Sequence, residues 1–205
     1  MVISEDYISP FLPDKCVSII CDLINNSGAC LQIKKHRKYK YGDFIVDRKT
    51  KQLKITINDS LDKYSFLITI IHELAHLNVW KNFKTKVKPH GNEWKQAFGE
   101  LMQLFLNKNI FPTSIEQALK NYLINPTAST DRCYSLVYSL LPYSKGNMKG
   151  VCLESLPDGI TFTLNNGKIM KKIGLLKKRY KCLCLNNNRM YSVAPYVEVF
   201  PVINK

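Results

Sequence analysis

Long apolar runs are missing from this sequence. No uninterrupted stretch approaches the roughly 18–20 residues that a membrane span needs, so no segment is expected to enter a bilayer. The opening residues MVISEDYISPFLPDK carry acids where a secretory signal carries bases, which argues against export. Paired CxxC motifs are missing too. The seven cysteines are odd in number and irregularly placed in a chain of 205 residues. That pattern fits reduced thiols in the cytoplasm better than a disulfide framework. No internal repeat or long low-complexity tract is present, and the 45% hydrophobic and 22% charged content matches ordinary globular protein. Extended disorder is therefore not expected.

Acid is the scarce charge. Thirty Lys+Arg face 16 Asp+Glu, a net +14. The shortage is uneven: 18 basic and 12 acidic residues occur up to Ala128, but 12 and 4 after it. Such an excess points to a polyanionic partner, nucleic acid before membrane, because no basic amphipathic helix with a bulky apolar face stands out.

The order of elements suggests an α+β fold in two unequal units. Val17, Ile20, Leu23 and Ile24 lie at helical spacing between Asp14 and the stop Ser27-Gly28. Leu31 and Ile33 then alternate with polar residues into the basic run KKHRKYKYGD, followed by Phe44-Ile45-Val46. Leu53, Ile55 and Ile57 alternate with Lys54, Thr56 and Asn58, the period-two mark of a half-buried strand. A small sheet is expected there. Asp59 or Ser60 can cap the next helix, which should run to about Asn82 with Leu61, Tyr64, Leu67, Ile68, Ile71, Ala75 and Val79 towards the core. After a lysine-rich loop, Trp94, Phe98, Leu101 and Phe105 mark another amphipathic helix, and a shorter one spans about Ser114 to Leu123. This first unit is expected over 1–128 and a linker over 129–144, starting in NPTASTD. Short β-type runs separated by Pro-Asp-Gly, Asn-Asn-Gly and Asn-Asn-Asn predict a small, mostly β unit over 145–205.

Three of the four histidines fall within residues 72–94, HELAHLNVWKNFKTKVKPHGNEW. On a helix, residues four apart share a face, so His72 and His76 can direct two imidazoles at one ion. Glu73 sits about 100° further round, beside the metal without ligating it, where it can take a proton from a water that the metal polarises. A catalytic zinc keeps three protein ligands and one open position. His90, at the entrance to the next helix, is the candidate third ligand, with the carboxylate of Glu93 as its rival. His36, flanked by Lys34, Lys35, Arg37 and Lys38, reads as a solvated strand residue. Trp80 and Trp94 read as core residues, although Trp80 could pack next to the metal. No oxyanion-stabilising residue stands out; Tyr41 is one of eleven tyrosines.

The run RKYKYGDFIVDRKTKQLKITINDSLDKYSFLITIIHELAHLNVW, followed by KPHGNEWKQAF, resembles the Spartan/SprT-like family of zinc metalloprotease domains, over roughly residues 10 to 125. The resemblance implies a zincin-like fold with one catalytic Zn2+ on His72, His76 and His90, and Glu73 as general base. It differs from the metzincin pattern, because the third histidine is too distant and Asn78-Val79-Trp80 offers no glycine at the turn. The family includes proteases that cut proteins crosslinked to DNA, which implies a protein substrate and, by analogy, nucleic acid. Many members also carry a zinc ribbon with paired CxxC. Here Cys133, Cys152, Cys182 and Cys184 offer only CxC, and buried free thiols are the plainer reading.

Two functions compete at this point. One is a zinc endopeptidase using metal-activated water; the other is a nucleic-acid-binding protein with a structural or vestigial zinc. The intact Glu73 favours the first, since a structural site has no use for a carboxylate there. Lys168, Lys171, Lys172, Lys177, Lys178, Arg179 and Lys181, with no acid among them, are the candidate nucleic-acid contacts across a turn and two strands. The bland alternative is a solvated edge protected by lysines.

Overall fold

A computed structural model describes residues 2–35, 37, 40–47, 49–130, 133–144 and 149–202. The chain divides into two compact units, Met1–Lys145 and Gly146–Lys205. His36 lies outside the described residues.

In the first unit, helices α1 (Glu5–Ile8) and α2 (Val17–Ser27) precede a sheet of β1 (Cys30–Lys34), β2 (Gly42–Val46) and β3 (Leu53–Asn58). Gly28 ends α2 in the left-handed region at φ 68°, where a side chain is disfavoured. The sheet order is β1-β3-β2, with β1 parallel and β2 antiparallel to β3. β3 is thus central, and the expected half-burial fails: Thr56 and Asn58 are buried along with Ile55 and Ile57. Asn58 uses its burial. Its amide donates to the carbonyls of Arg37 (3.2 Å) and Lys40 (2.6 Å) and accepts from Arg37 Nε (2.8 Å). The basic run between β1 and β2 is therefore tied to the sheet, which fixes where β2 begins.

Helix α3 (Lys63–Phe83) is capped by Asp62, not by the expected Asp59 or Ser60; its carboxylate accepts from Tyr64 and Ser65 N–H, both at 3.0 Å. The shift follows from geometry, since only a residue two or three positions ahead of those amides can reach them. The helix is also buried on more sides than its expected stripe. Phe66, Ile70, Leu74 and Leu77 join Leu67, Ile68, Ile71 and Ala75 in the core, as befits a helix enclosed by neighbours on several faces. Helices α4 (Asn92–Gln103) and α5 (Thr113–Leu123) follow, with Phe105 buried just beyond α4. The stretch expected to be a linker instead contributes α6 (Tyr134–Leu140), whose Leu136 is fully buried in the first core.

The second unit is one antiparallel six-stranded sheet, of order β4-β9-β5-β6-β7-β8. Its strands are β4 (Val151–Cys152), β5 (Thr161–Leu164), β6 (Ile169–Leu176), β7 (Arg179–Cys184), β8 (Arg189–Val193) and β9 (Glu198–Pro201). Its small core holds Leu153, Phe162, Met170, Cys182, Cys184 and Val199. Lys172 corrects one expectation. It is only 2% exposed, so it is not available to a phosphate. Its ammonium instead donates to the carbonyls of Leu153 (3.1 Å), Glu154 (3.4 Å) and Leu156, and lies 3.8 Å from the centre of the Tyr180 ring. Strand alternation explains the inversion: Lys171 faces out, so its neighbour must face in.

Candidate metal centre

The helical repeat of α3 stacks His72 and His76 one turn apart, and the loop after α3 brings His90 to them. His90 sits at φ 57°, a left-handed conformation uncommon for a residue with a side chain. The Gly91 N–H then donates to the Lys88 carbonyl at 3.0 Å, closing the turn that starts α4. The three Nε2 atoms form a triangle with edges of 3.1 Å (His72–His90), 3.1 Å (His72–His76) and 2.9 Å (His76–His90).

Such a triangle cannot satisfy itself with protons, because each neutral imidazole has one donor and one acceptor. One cation can meet all three lone pairs at once. A tetrahedral ion at about 2.0–2.1 Å from each nitrogen separates its donors by about 3.3 Å, close to the spacing found. The donor set thus fits a metal ion, and among the described residues it is the one group of three or more such side chains. Glu93, the rival ligand, is not in it. Neither is Glu73, which lies beside the group on the next residue.

The surroundings keep these rings uncharged. Burial, followed by the neighbouring charges of His76 and His90, pushes His72 down to about 3. His76 is lowered to about 4 by burial and His90, and His90 is lowered by burial. Neutral imidazoles are the form that ligates a metal. Glu73 moves the other way: burial first, and the Asp43 charge second, push it up to about 8, against a hydrogen bond from the Phe44 N–H.

Residues 19–117 match the SprT-like family. No curated protein and no solved structure matches the chain. Residues 19–117 form a SprT-like domain. That match contains all three histidines and Glu73, and it stops before the second unit.

Within the SprT-like domain, the side chain that organises the centre is Trp94. Its ring centre lies 4.6 Å from that of His72, 4.8 Å from His90 and 5.6 Å from His76, and it stacks on Phe98 at 5.0 Å. Its Nε1–H is directed at the His72 carbonyl, 3.4 Å away. Sequence reasoning placed Trp94 in the core, where it is, but missed that it is also the floor beneath all three imidazoles. Its position four residues after His90, in the first turn of α4, was the available signal. Trp80, 6.3 Å edge-on from Phe44, lines the open cleft instead.

Gly42 was also missed. A methyl on its Cα would meet Thr69 Cγ2 at 2.7 Å and Glu73 Oε1 at 2.9 Å. Nothing in the sequence marks that contact, since it joins the edge of a sheet to helix residues 27 and 31 positions further on. The cleft along this edge, about 860 Å³, also takes in Tyr41, Lys84 and Lys88. Among the described residues no cysteine joins a group of this kind, and burial pushes Cys182 up to about 11.

Proposed function

We propose that the chain is a zinc-dependent endopeptidase of zincin-like architecture. The observation that carries this reading is the pairing of a three-histidine group with a buried glutamate adjacent to the group but outside it. A closed structural site has four protein ligands and needs no such base. His72, His76 and His90 would hold the ion. When bound, zinc supplies Lewis-acid polarisation of the substrate carbonyl and makes water more acidic.

The remaining work falls to the chain itself. Glu73 accepts the proton of the attacking water on its carboxylate and hands it to the departing amine, so that the carboxylate is regenerated at each turnover. Its hydrogen bond from Phe44 N–H and the bare Cα of Gly42 fix the direction of that carboxylate. Trp94 keeps the imidazoles in place from below. Strand β2 is at the edge of its sheet and borders the cleft, so an extended polypeptide can lie alongside it.

The second unit extends the proposal to nucleic acid. Lys171, Lys177, Lys178, Arg179 and Lys181 are all exposed on the β6–β7 hairpin, and Arg179 also donates to the Ser192 hydroxyl and carbonyl, both at 3.0 Å. This hairpin would keep a cytoplasmic peptidase near nucleic-acid-associated proteins. The experiment for the catalytic part is Glu73→Gln on zinc-loaded protein: peptide cleavage should vanish while zinc stays bound. Cleavage that persists would reject the mechanism.

A further inference from the structure

The cleft beside the histidines is unevenly charged. Besides the histidines and Tyr41, its ionisable side chains are Lys40, Asp43, Glu73, Lys84 and Lys88. Asp43 is already matched by Lys40, Nζ to Oδ2 at 2.9 Å, and Glu73 is the buried base. Lys84 and Lys88 remain, and among the described residues neither forms an ion pair.

Both residues belong to the framework of the site, Lys84 through its ammonium and Lys88 through its backbone. Lys84 ends α3, where its N–H reaches the Trp80 carbonyl at 2.8 Å and its ammonium lies 3.9 Å from the centre of the Trp80 ring. An aromatic face under an ammonium holds that charge at the wall of the cleft. Lys88 accepts the Gly91 N–H in the turn that delivers His90. The same cleft is also lined by the apolar side chains of Phe44, Val79, Trp80 and Val87. An aliphatic stem ending in a carboxylate matches a lining of apolar side chains and unpaired ammonium groups; a lysine or arginine side chain meets like charge.

We infer that this cleft selects polypeptide segments carrying acidic residues, glutamate above all, next to the bond that is cut, and disfavours lysine- and arginine-rich segments. The inference rests on the peptidase reading of the same site and narrows it. Basic nucleic-acid-binding tails are poor substrates on this account, and acidic stretches of the proteins that carry them are good ones.

The test separates recognition from catalysis. Zinc-loaded full-length Glu73→Gln protein is titrated with two fluorescent peptides of one sequence, differing only in glutamate or lysine around a central apolar residue. Anisotropy should show the glutamate peptide binding about tenfold tighter at low salt, the scale expected of two exposed cations, and the margin should shrink as salt rises. Lys84→Glu with Lys88→Glu should abolish or invert the preference. Both positions are exposed, so the fold should survive, and circular dichroism checks that. Equal binding of the two peptides, or a preference unmoved by the double reversal, overturns the inference. Cleavage by the parent chain is measured in parallel. Selective binding without any cleavage sinks the peptidase reading and leaves the acidic preference standing; cleavage without preference does the reverse.

Discussion

The Cα of Gly42 faces the side chain of Glu73 so closely that an added methyl would lie 2.9 Å from Oε1 and 3.0 Å from Cγ. A strand edge and a helix thus meet with no side chain between them, and the glutamate is clamped by the contact. Gly42→Ala must displace Glu73 or Thr69. Because misplacing a reacting group by about 1 Å costs about a hundredfold in rate, turnover should fall by about that factor with zinc content unchanged. Steady-state kinetics on zinc-quantified protein check this, and a Gly42→Ala variant with parental turnover would show that the clamp does not matter. Overpacking should also lower stability by about 1–3 kcal/mol.

Trp94 should matter to the metal as well as to the core. Trp94→Ala removes a ring that is 1% exposed, and should cost about 3–5 kcal/mol of stability. Trp94→Phe keeps most of the packing but loses the N–H directed at the His72 carbonyl. That hydrogen bond is worth about 0.5–1.5 kcal/mol, so zinc affinity measured by chelator competition should drop by up to about tenfold. An unchanged affinity would reduce Trp94 to a core residue.

The metal-free protein should be most stable near pH 6.5. His72 and His76, lowered from 6.5 to about 3 and about 4, are fully stabilising only above 6.5 and lose that contribution as pH falls towards those values. Glu73, raised from 4.5 to about 8, contributes below 4.5 and loses its contribution as pH rises to about 8. Two histidines outweigh one glutamate below 6.5, and the glutamate acts alone above it. Urea unfolding of chelated protein from pH 4 to 9 reads the curve. Glu73→Gln should remove the decline on the alkaline side; a decline that stays would assign it to another group.

In the second unit, buried and exposed lysines should behave differently. Lys172→Met removes a donor from the carbonyls of Leu153, Glu154 and Leu156; the buried one, Leu153, costs about 1–3 kcal/mol when unpaired, so the melting temperature should fall. Lys177→Glu with Lys178→Glu should leave stability alone and weaken nucleic-acid binding across sequences. That binding should fall with salt at a log–log slope of about −0.7 to −0.9 per phosphate neutralised. A chain that binds no DNA or RNA at low salt would make the hairpin a solvated edge.

Periodicity and spacing made much of this architecture legible. The histidine pair four apart, the third histidine ahead of a helix and the strand runs all depend on local rules, and the structure has each. What could not be read depends on contacts distant in sequence. Asp62 caps α3 because of where the chain enters the helix, while Asp59 and Ser60 carry equally good capping groups. Leu136 follows a segment rich in turn formers, yet it is buried in the first core. Lys172 looked like one more cation in a basic run, and only the register of β6 turns it inward. Gly42 and Trp94 gained their roles from the folding of a strand edge and a helix onto α3.

The most direct measurement is zinc content and peptide cleavage measured together on the parent, Glu73→Gln and His90→Ala chains. The account predicts one zinc per parent chain with cleavage, one zinc without cleavage for Glu73→Gln, and sharply weakened zinc binding for His90→Ala. Zinc retained at full affinity without His90, or cleavage retained without the Glu73 carboxylate, would contradict it.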